Sequence, residues 1–150
     1  MLANGNSESK HSIYCGSGVR IMRGQVVYVI HHLRSGERIL WQQFTDGWLS
    51  FRHYGVALDD GTVVHFCGDK ECIQNEARIK RTSREEFCQG SCLHIAKEVC
   101  YRFSPELVAE RALAQVGGNF GGYHVLLNNC EHFANWCACG KKISRQVMRR

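Results

Sequence analysis

The sequence predicts an α+β domain in which a small antiparallel sheet packs against helices. Three observations carry that expectation. The first half contains short β-rich runs, the clearest being Gln25–His31. A turn signal, Asp59-Asp60-Gly61, joins two further runs as a hairpin. The last third shows helix caps and helical spacing. The 150 residues fit one domain, and 44% apolar with 22% charged residues excludes a disordered or fibrous chain.

Met1 to Ser17 is polar and reads as a flexible N-terminal arm, leaving residues 18–150 as the domain. Gln25–His31 is the first strand, punctuated by Ser35-Gly36. Ile39–Phe44 is a candidate second strand, closed by Thr45-Asp46-Gly47. The hairpin pairs Arg52–Leu58 with Thr62–Cys67. A two-residue Asp-Gly turn would send His53 and His65 to opposite faces. A three-residue loop with Gly61 in the left-handed region pairs Leu58 with Thr62, and then both histidines share a face as diagonal neighbours roughly 7–8 Å apart. The three-residue loop is the expectation adopted.

Lys80 to Phe87 reads as a short helix capped by Thr82 or Ser83, and Leu93–Tyr101 as another strand. Ser104 followed by Pro105 starts a helix in which Val108, Ala112 and Val116 form one stripe, stopped by Gly117-Gly118. After a link at Tyr123–Leu127, Asn128 or Asn129 caps a final helix from about Cys130 to Cys139, ended by Gly140. Cys130, Phe133, Ala134 and Cys137 share its inner stripe.

The longest apolar run, Val26–Ile30, is far below the roughly 18–20 residues that cross a bilayer, and Met1–Lys10 lacks the apolar core of a secretory signal. Nine cysteines, an odd number without an export signal, imply reduced thiols in a cytoplasmic setting. There is no C-x-x-C pair, and Cys67/Cys72, Cys88/Cys92 and Cys137/Cys139 do not match zinc modules, so neither metal nor cofactor is expected. The net charge of +5 favours anionic surfaces. The basic clusters Arg78–Arg81 and Lys141–Arg150 read as solvated faces or as peripheral contacts with anionic lipid. Nucleic acid is disfavoured because no basic motif is interleaved with aromatic residues. His11 and the pair His31-His32 read as surface residues.

The chemistry gathers at Cys130. A thiol is nucleophilic as thiolate, and a helix start supplies positive field and free N–H groups that can also receive an oxyanion. A histidine that takes the thiol proton and a second polar group that orients it complete such a site. His53 and His65, on one face of a hairpin, supply both.

Arg52-His53-Tyr54-Gly55-Val56-Ala57-Leu58-Asp59-Asp60-Gly61-Thr62-Val63-Val64-His65-Phe66, followed by Asn128-Asn129-Cys130-Glu131-His132-Phe133-Ala134, resembles the paired H-box and NC-box of the lecithin:retinol acyltransferase-like family. These are circularly permuted relatives of NlpC-type, papain-like thiol hydrolases. The resemblance runs from about Gly24 to Val147, is specific in the two boxes, and extends to the helix Glu106–Gly117. It implies a permuted papain-like architecture, Cys130 as nucleophile, His53 as general base and His65 as its orienting group. It also implies a phospholipid or other acyl-ester substrate handled through a thioester on Cys130. Two other outcomes stay open: an NlpC-type peptidase or amidase, and a non-catalytic interaction protein such as the picornaviral members. His132 lies in the NC-box but off the Cys130 stripe and is expected to be a structural hydrogen-bonding residue.

The chain departs from the family pattern in three places. The loop before His53 is longer than in the compact vertebrate phospholipases, and its Leu40, Trp41, Trp48 and Leu49 read as core or as a lipid-facing lid. Many vertebrate members carry a membrane anchor at the C-terminus, and none is expected from these residues. Gln25 stands where such members often have Asp after a Gly.

Overall fold

A computed structural model describes residues 20–33, 49–66, 77–123 and 129–144. The expected arm Met1–Ser17, the strand Ile39–Phe44 with its turn, the lid residues Leu40, Trp41 and Trp48, and Asn128 lie outside them, as does most of the link Tyr123–Leu127. Leu49 enters only as the first residue of a strand. Five strands are observed among the described residues: β1 (Val26–Leu33), β2 (Leu49–Ala57), β3 (Thr62–Phe66), β4 (Ile79–Ser83) and β5 (His94–Ile95). The helices are α1 (Arg84–Cys88), α2 (Pro105–Ala114) and α3 (Cys130–Cys139). The strands form one sheet in the order β4-β3-β2-β1-β5, with every neighbour antiparallel. The α+β class and the small antiparallel sheet are as the sequence predicts.

The central hairpin takes the three-residue loop. Leu58 N–H donates to Thr62 O at 2.9 Å, and Gly61 has φ +83°, a conformation that costs glycine little. Asp60 Oδ1 accepts from Thr62 N–H and from its hydroxyl, at 3.0 and 2.6 Å, which locks the loop from within. Alternation along β2 then sorts the core. Tyr54 and Val56, with Val64, Phe66 and Val26, face α2 and α3, where they meet Val108, Ala112, Phe133, Ala134 and Ala138. Ala57, Val63, Val27 and Val29 face the other way, onto Phe87, Cys88 and Leu93.

Two expectations for this middle stretch need correction. Lys80-Arg81-Thr82 does not lead into a helix. It is part of β4, an edge strand whose charged residues keep that edge soluble, and only Ser83 caps α1, accepting from Glu86 N–H at 3.1 Å. Leu93–Tyr101 is a strand only at His94–Ile95, because after Ala96 donates to Val26 O the side chain of Tyr101 takes over the edge. Its hydroxyl accepts from Val26 N–H at 3.0 Å.

The start of α2 is as expected, with Ser104 accepting from Leu107 N–H and Pro105 in the first turn. Gly24 passes directly over it. A Cβ there would stand 2.2 Å from Pro105 O, so no other residue fits. The stripe is shorter than expected, however. Val116 lies beyond the helix and is 41% exposed, because the chain breaks off to dock on the sheet edge, exchanging bonds between Ile79 and Gly117/Gly118 at 2.8 and 2.9 Å. The helix α3 matches its expected limits, with Asn129 as cap and Gly140, at φ +78°, as terminator. None of the six described cysteines, at 88, 92, 100, 130, 137 and 139, is in a disulfide. Among the described residues no helix is long and apolar enough to cross a membrane.

Candidate active site

The histidine pair forms on the face of the sheet away from α3. His53 Nε2 and His65 Nδ1 lie 2.9 Å apart, and His65 Nε2 lies 3.0 Å from Thr82 Oγ1. The diagonal placement that follows from the hairpin register therefore becomes a hydrogen bond once the two rings lean together, with centroids 5.0 Å apart and planes at 90°. Phe87 of α1 packs on both rings, at 5.1 and 5.0 Å between centroids. Gly55 makes room for it: a Cβ there would meet Val63 Cγ1 at 2.5 Å and the Phe87 ring at 3.1 Å. Both imidazoles are 5% exposed. Burial, with the neighbouring His65 and His31, holds His53 well below the usual histidine range, so its ring is neutral at pH 7.

The nucleophile candidate is held by the helix start. Asn129 Oδ1 accepts from Glu131 and His132 N–H, and His132 Nδ1 accepts in return from Asn129 N–H at 3.0 Å. His132 is thus the structural hydrogen-bonding residue the sequence suggests. Cys130 is the first helical residue, 2% exposed.

Strand geometry decides what the thiol touches. Ala57 bonds to Gly24 and Gln25 beside β1, while Leu58 N–H bonds to β3, so the backbone groups of Val56, Tyr54 and Arg52 also point toward β3. The β2–β3 ladder covers Ala57↔Val63 and Val56↔Val64, whereas β3 stays on β4 as far as Phe66↔Ile79. The backbone of Tyr54 and Arg52 lies past the end of that ladder, and Cys130 occupies the gap. Its Sγ donates to Arg52 O at 3.9 Å and accepts from Tyr54 N–H. The contacted carbonyl is the one that leads into His53, so covalent geometry keeps His53 Cα within about 7 Å of the sulfur.

The structure therefore brings His53 and His65 together on one face of the sheet and places the Cys130 thiol on the other, against the peptide that leads into His53. Tyr54 packs with Ala134 and Ala138 on the thiol's side, while the next residue back, His53, projects to the Phe87 side. No hydrogen bond joins Sγ to the His53 ring. Nor is the thiol acidified in this state. Burial pushes Cys130 up to about 12, with Glu131 adding to the rise, and the N–H groups of Tyr54, Glu131 and Cys130 offset only part of it. The expectation that a helix start alone makes this sulfur acidic is corrected: the positive field is present, but desolvation is larger.

Three neighbours went unrecognised in the sequence. His31, expected at the surface, is half-buried with its ring 6.1 Å from that of His53. Thr82 could be found only by recognising β4 and its register, which puts Val63 opposite Thr82 and His65 one diagonal away, and Phe87 only from the packing of α1 on the sheet. An open depression beside the two imidazoles is lined by His31, Lys80, Thr82, Glu86 and Gln89. Among the described residues no cluster suited to a metal ion occurs. Structural roles for His32 and His11 lie outside the described side chains.

Comparison with known proteins adds an independent line. The family described as Lecithin retinol acyltransferase matches residues 31–143. The chain is 26% identical over 113 residues to "Phospholipase A and acyltransferase 4" of Homo sapiens, covering 66% of this chain and 68% of that protein. It is 28% identical over 123 residues to "Lecithin retinol acyltransferase" of Rattus norvegicus, covering 65% and 52%, and 29% identical over 120 residues to the Homo sapiens protein of that name, covering 63% and 51%. The chain spans about half the length of the latter two.

Proposed function

The chain belongs to the lecithin retinol acyltransferase family, and on that premise we propose that it is a thiol-dependent acyltransferase or phospholipase acting on glycerophospholipid esters through a thioester on Cys130. The observation that supports this most is the seating of the Cys130 thiol on the peptide of His53, whose ring is already bonded to His65.

In the proposed reaction His53 Nε2 stays with His65, and Nδ1 takes the proton of the thiol. The sulfur leaves Arg52 O by rotation about χ1 of Cys130 and meets that ring as substrate binds. Such bonds are often unformed before substrate arrives. The thiolate adds to the ester carbonyl carbon, and the oxyanion is received by N–H groups at the start of α3. Collapse breaks the carbonyl–oxygen bond, and His53 returns the proton to the departing lysophospholipid alkoxide. Water, an amine or an alcohol then gives a proton to His53 and adds to the thioester. Breakdown releases the acyl product, and the sulfur recovers the proton. Low intrinsic acidity of Cys130 and low basicity of His53 fit a resting pair that is neutral and ionises only during the reaction.

Peripheral contact with an anionic membrane is part of the proposal, through Lys141 and Lys142 beyond α3, where the Lys142 ammonium lies over Phe120 at 4.2 Å. Residues 18–150 are proposed to act as one domain. The test is a panel of phospholipids given to wild type and Cys130→Ala. Release of free fatty acid or acylated acceptor by wild type alone supports the reading, and equal turnover, or none by either, overturns it.

A further inference from the structure

The bond from His65 to Thr82 sets a condition on the whole chain of hydrogen bonds. For His53 Nδ1 to accept the thiol proton it must carry a lone pair, so the proton of the neutral ring must be on Nε2. That N–H then donates to His65 Nδ1, which leaves the proton of His65 on Nε2. The distance of 3.0 Å puts Thr82 Oγ1 opposite that N–H. If the hydroxyl instead donated to His65, both rings would reverse. His65 would donate from Nδ1 to His53 Nε2, and His53 would hold its proton on Nδ1, where it cannot act as base.

We propose that Thr82 is a positioning residue that ends the His53–His65 chain as a hydrogen-bond acceptor, and so keeps both imidazoles in the tautomer that leaves His53 Nδ1 free to take a proton. Thr82 lies on β4, outside both sequence boxes, and reaches the site only because β4 pairs with β3 in this register. Its neighbours fit the assignment. Phe87 packs on both rings, which are buried, and so limits their exposure to solvent that would serve either ring direction equally. Thr82 is half-buried at the edge of the depression, on a strand that tolerates β-branched residues, so Thr82→Val keeps the shape and removes only the hydroxyl.

This inference rests on the function proposed above, and its test is separable from it. Nitrogen-15 spectra of the intact chain at neutral pH report which ring nitrogen of His53 and of His65 carries the proton. Wild type is expected to show Nε2–H on both. Thr82→Val is expected to shift both toward Nδ1–H and to lower kcat about tenfold with KM unchanged, and Thr82→Ser to restore both readings. Nδ1–H on His53 in wild type, or unaltered tautomers in Thr82→Val, would overturn the proposal whether or not the protein turns over lipid. The expected tautomers and their loss in Thr82→Val, found in a protein that never forms a thioester, would uphold this inference and sink the acyl-transfer reading.

Discussion

Cys130 and Cys137 lie on one stripe of one helix, seven residues apart, and both are buried. Burial raises both thiols above the usual cysteine range, Cys130 to about 12. What separates them is the company each sulfur keeps. At the first turn of α3 the sulfur receives the N–H groups of Tyr54, Glu131 and Cys130 and rests on the carbonyl leading into His53. At the last turn the neighbouring charge is Arg111, whose guanidinium is committed to the carbonyls of Cys137 and Trp136 at 3.2 and 2.9 Å and stacks on Trp136 at 3.9 Å. Burial therefore does not mark a nucleophile, and neither does a helix by itself. Backbone N–H groups aimed at the sulfur, together with a peptide contact that leads into His53, make the distinction.

The sharpest way to break that comparison is paired substitution. Cys130→Ala should lower acyl release by about 10⁴-fold or more, whereas Cys137→Ala should keep acyl release and instead destabilise the fold by about 1–2 kcal/mol. Lipid turnover beside urea unfolding separates the two outcomes. Phe87→Ala should remove about 3–5 kcal/mol of stability and, by letting water reach the rings, move the His53 titration up toward the usual histidine range, a change visible by NMR. The two helix starts can be set against each other in the same way. Asn129→Ala should cost about 1–2 kcal/mol because it leaves the buried backbone N–H groups of Glu131 and His132 without their acceptor, and Ser104→Ala, at an exposed start, about 0.5–1 kcal/mol, both read from unfolding midpoints.

A further effect is pH-dependent. His53 is held below its unfolded value of about 6.5, so the unfolded chain binds more protons in acid. Its contribution to stability is fully present above that pH and is lost as pH falls through it, with a slope approaching about 1.4 kcal/mol per unit for one group. His53→Asn should flatten the loss by about one proton in unfolding curves taken between pH 7 and pH 5.

Local rules made much of this legible. Gly61 fixed the loop, the loop fixed which face His53 shares with His65, and Asn129 with Gly140 bounded α3. Other features were hidden because they depend on distant pairing. The segment that forms β4 reads as a basic cluster running into a short capped helix, and only its ladder with β3 brings Thr82 to His65. The length of β5 was set by the Tyr101 side chain, and the end of α2 by Ile79, neither of which has a local signature. The acidity of Cys130 was misjudged for the same reason: the field of a helix start is visible in a cap motif, while desolvation depends on everything packed around it.

The most direct measurement of the central claim is the site of acyl attachment. The chain is incubated with phospholipid vesicles, quenched in acid, digested and mapped by mass spectrometry. The account predicts an acyl mass on the peptide carrying Cys130, and none on the exposed thiols Cys92 and Cys100 or on Cys137. Acyl mass distributed according to exposure, or lipid turnover with no adduct on Cys130 under any quench, would contradict it.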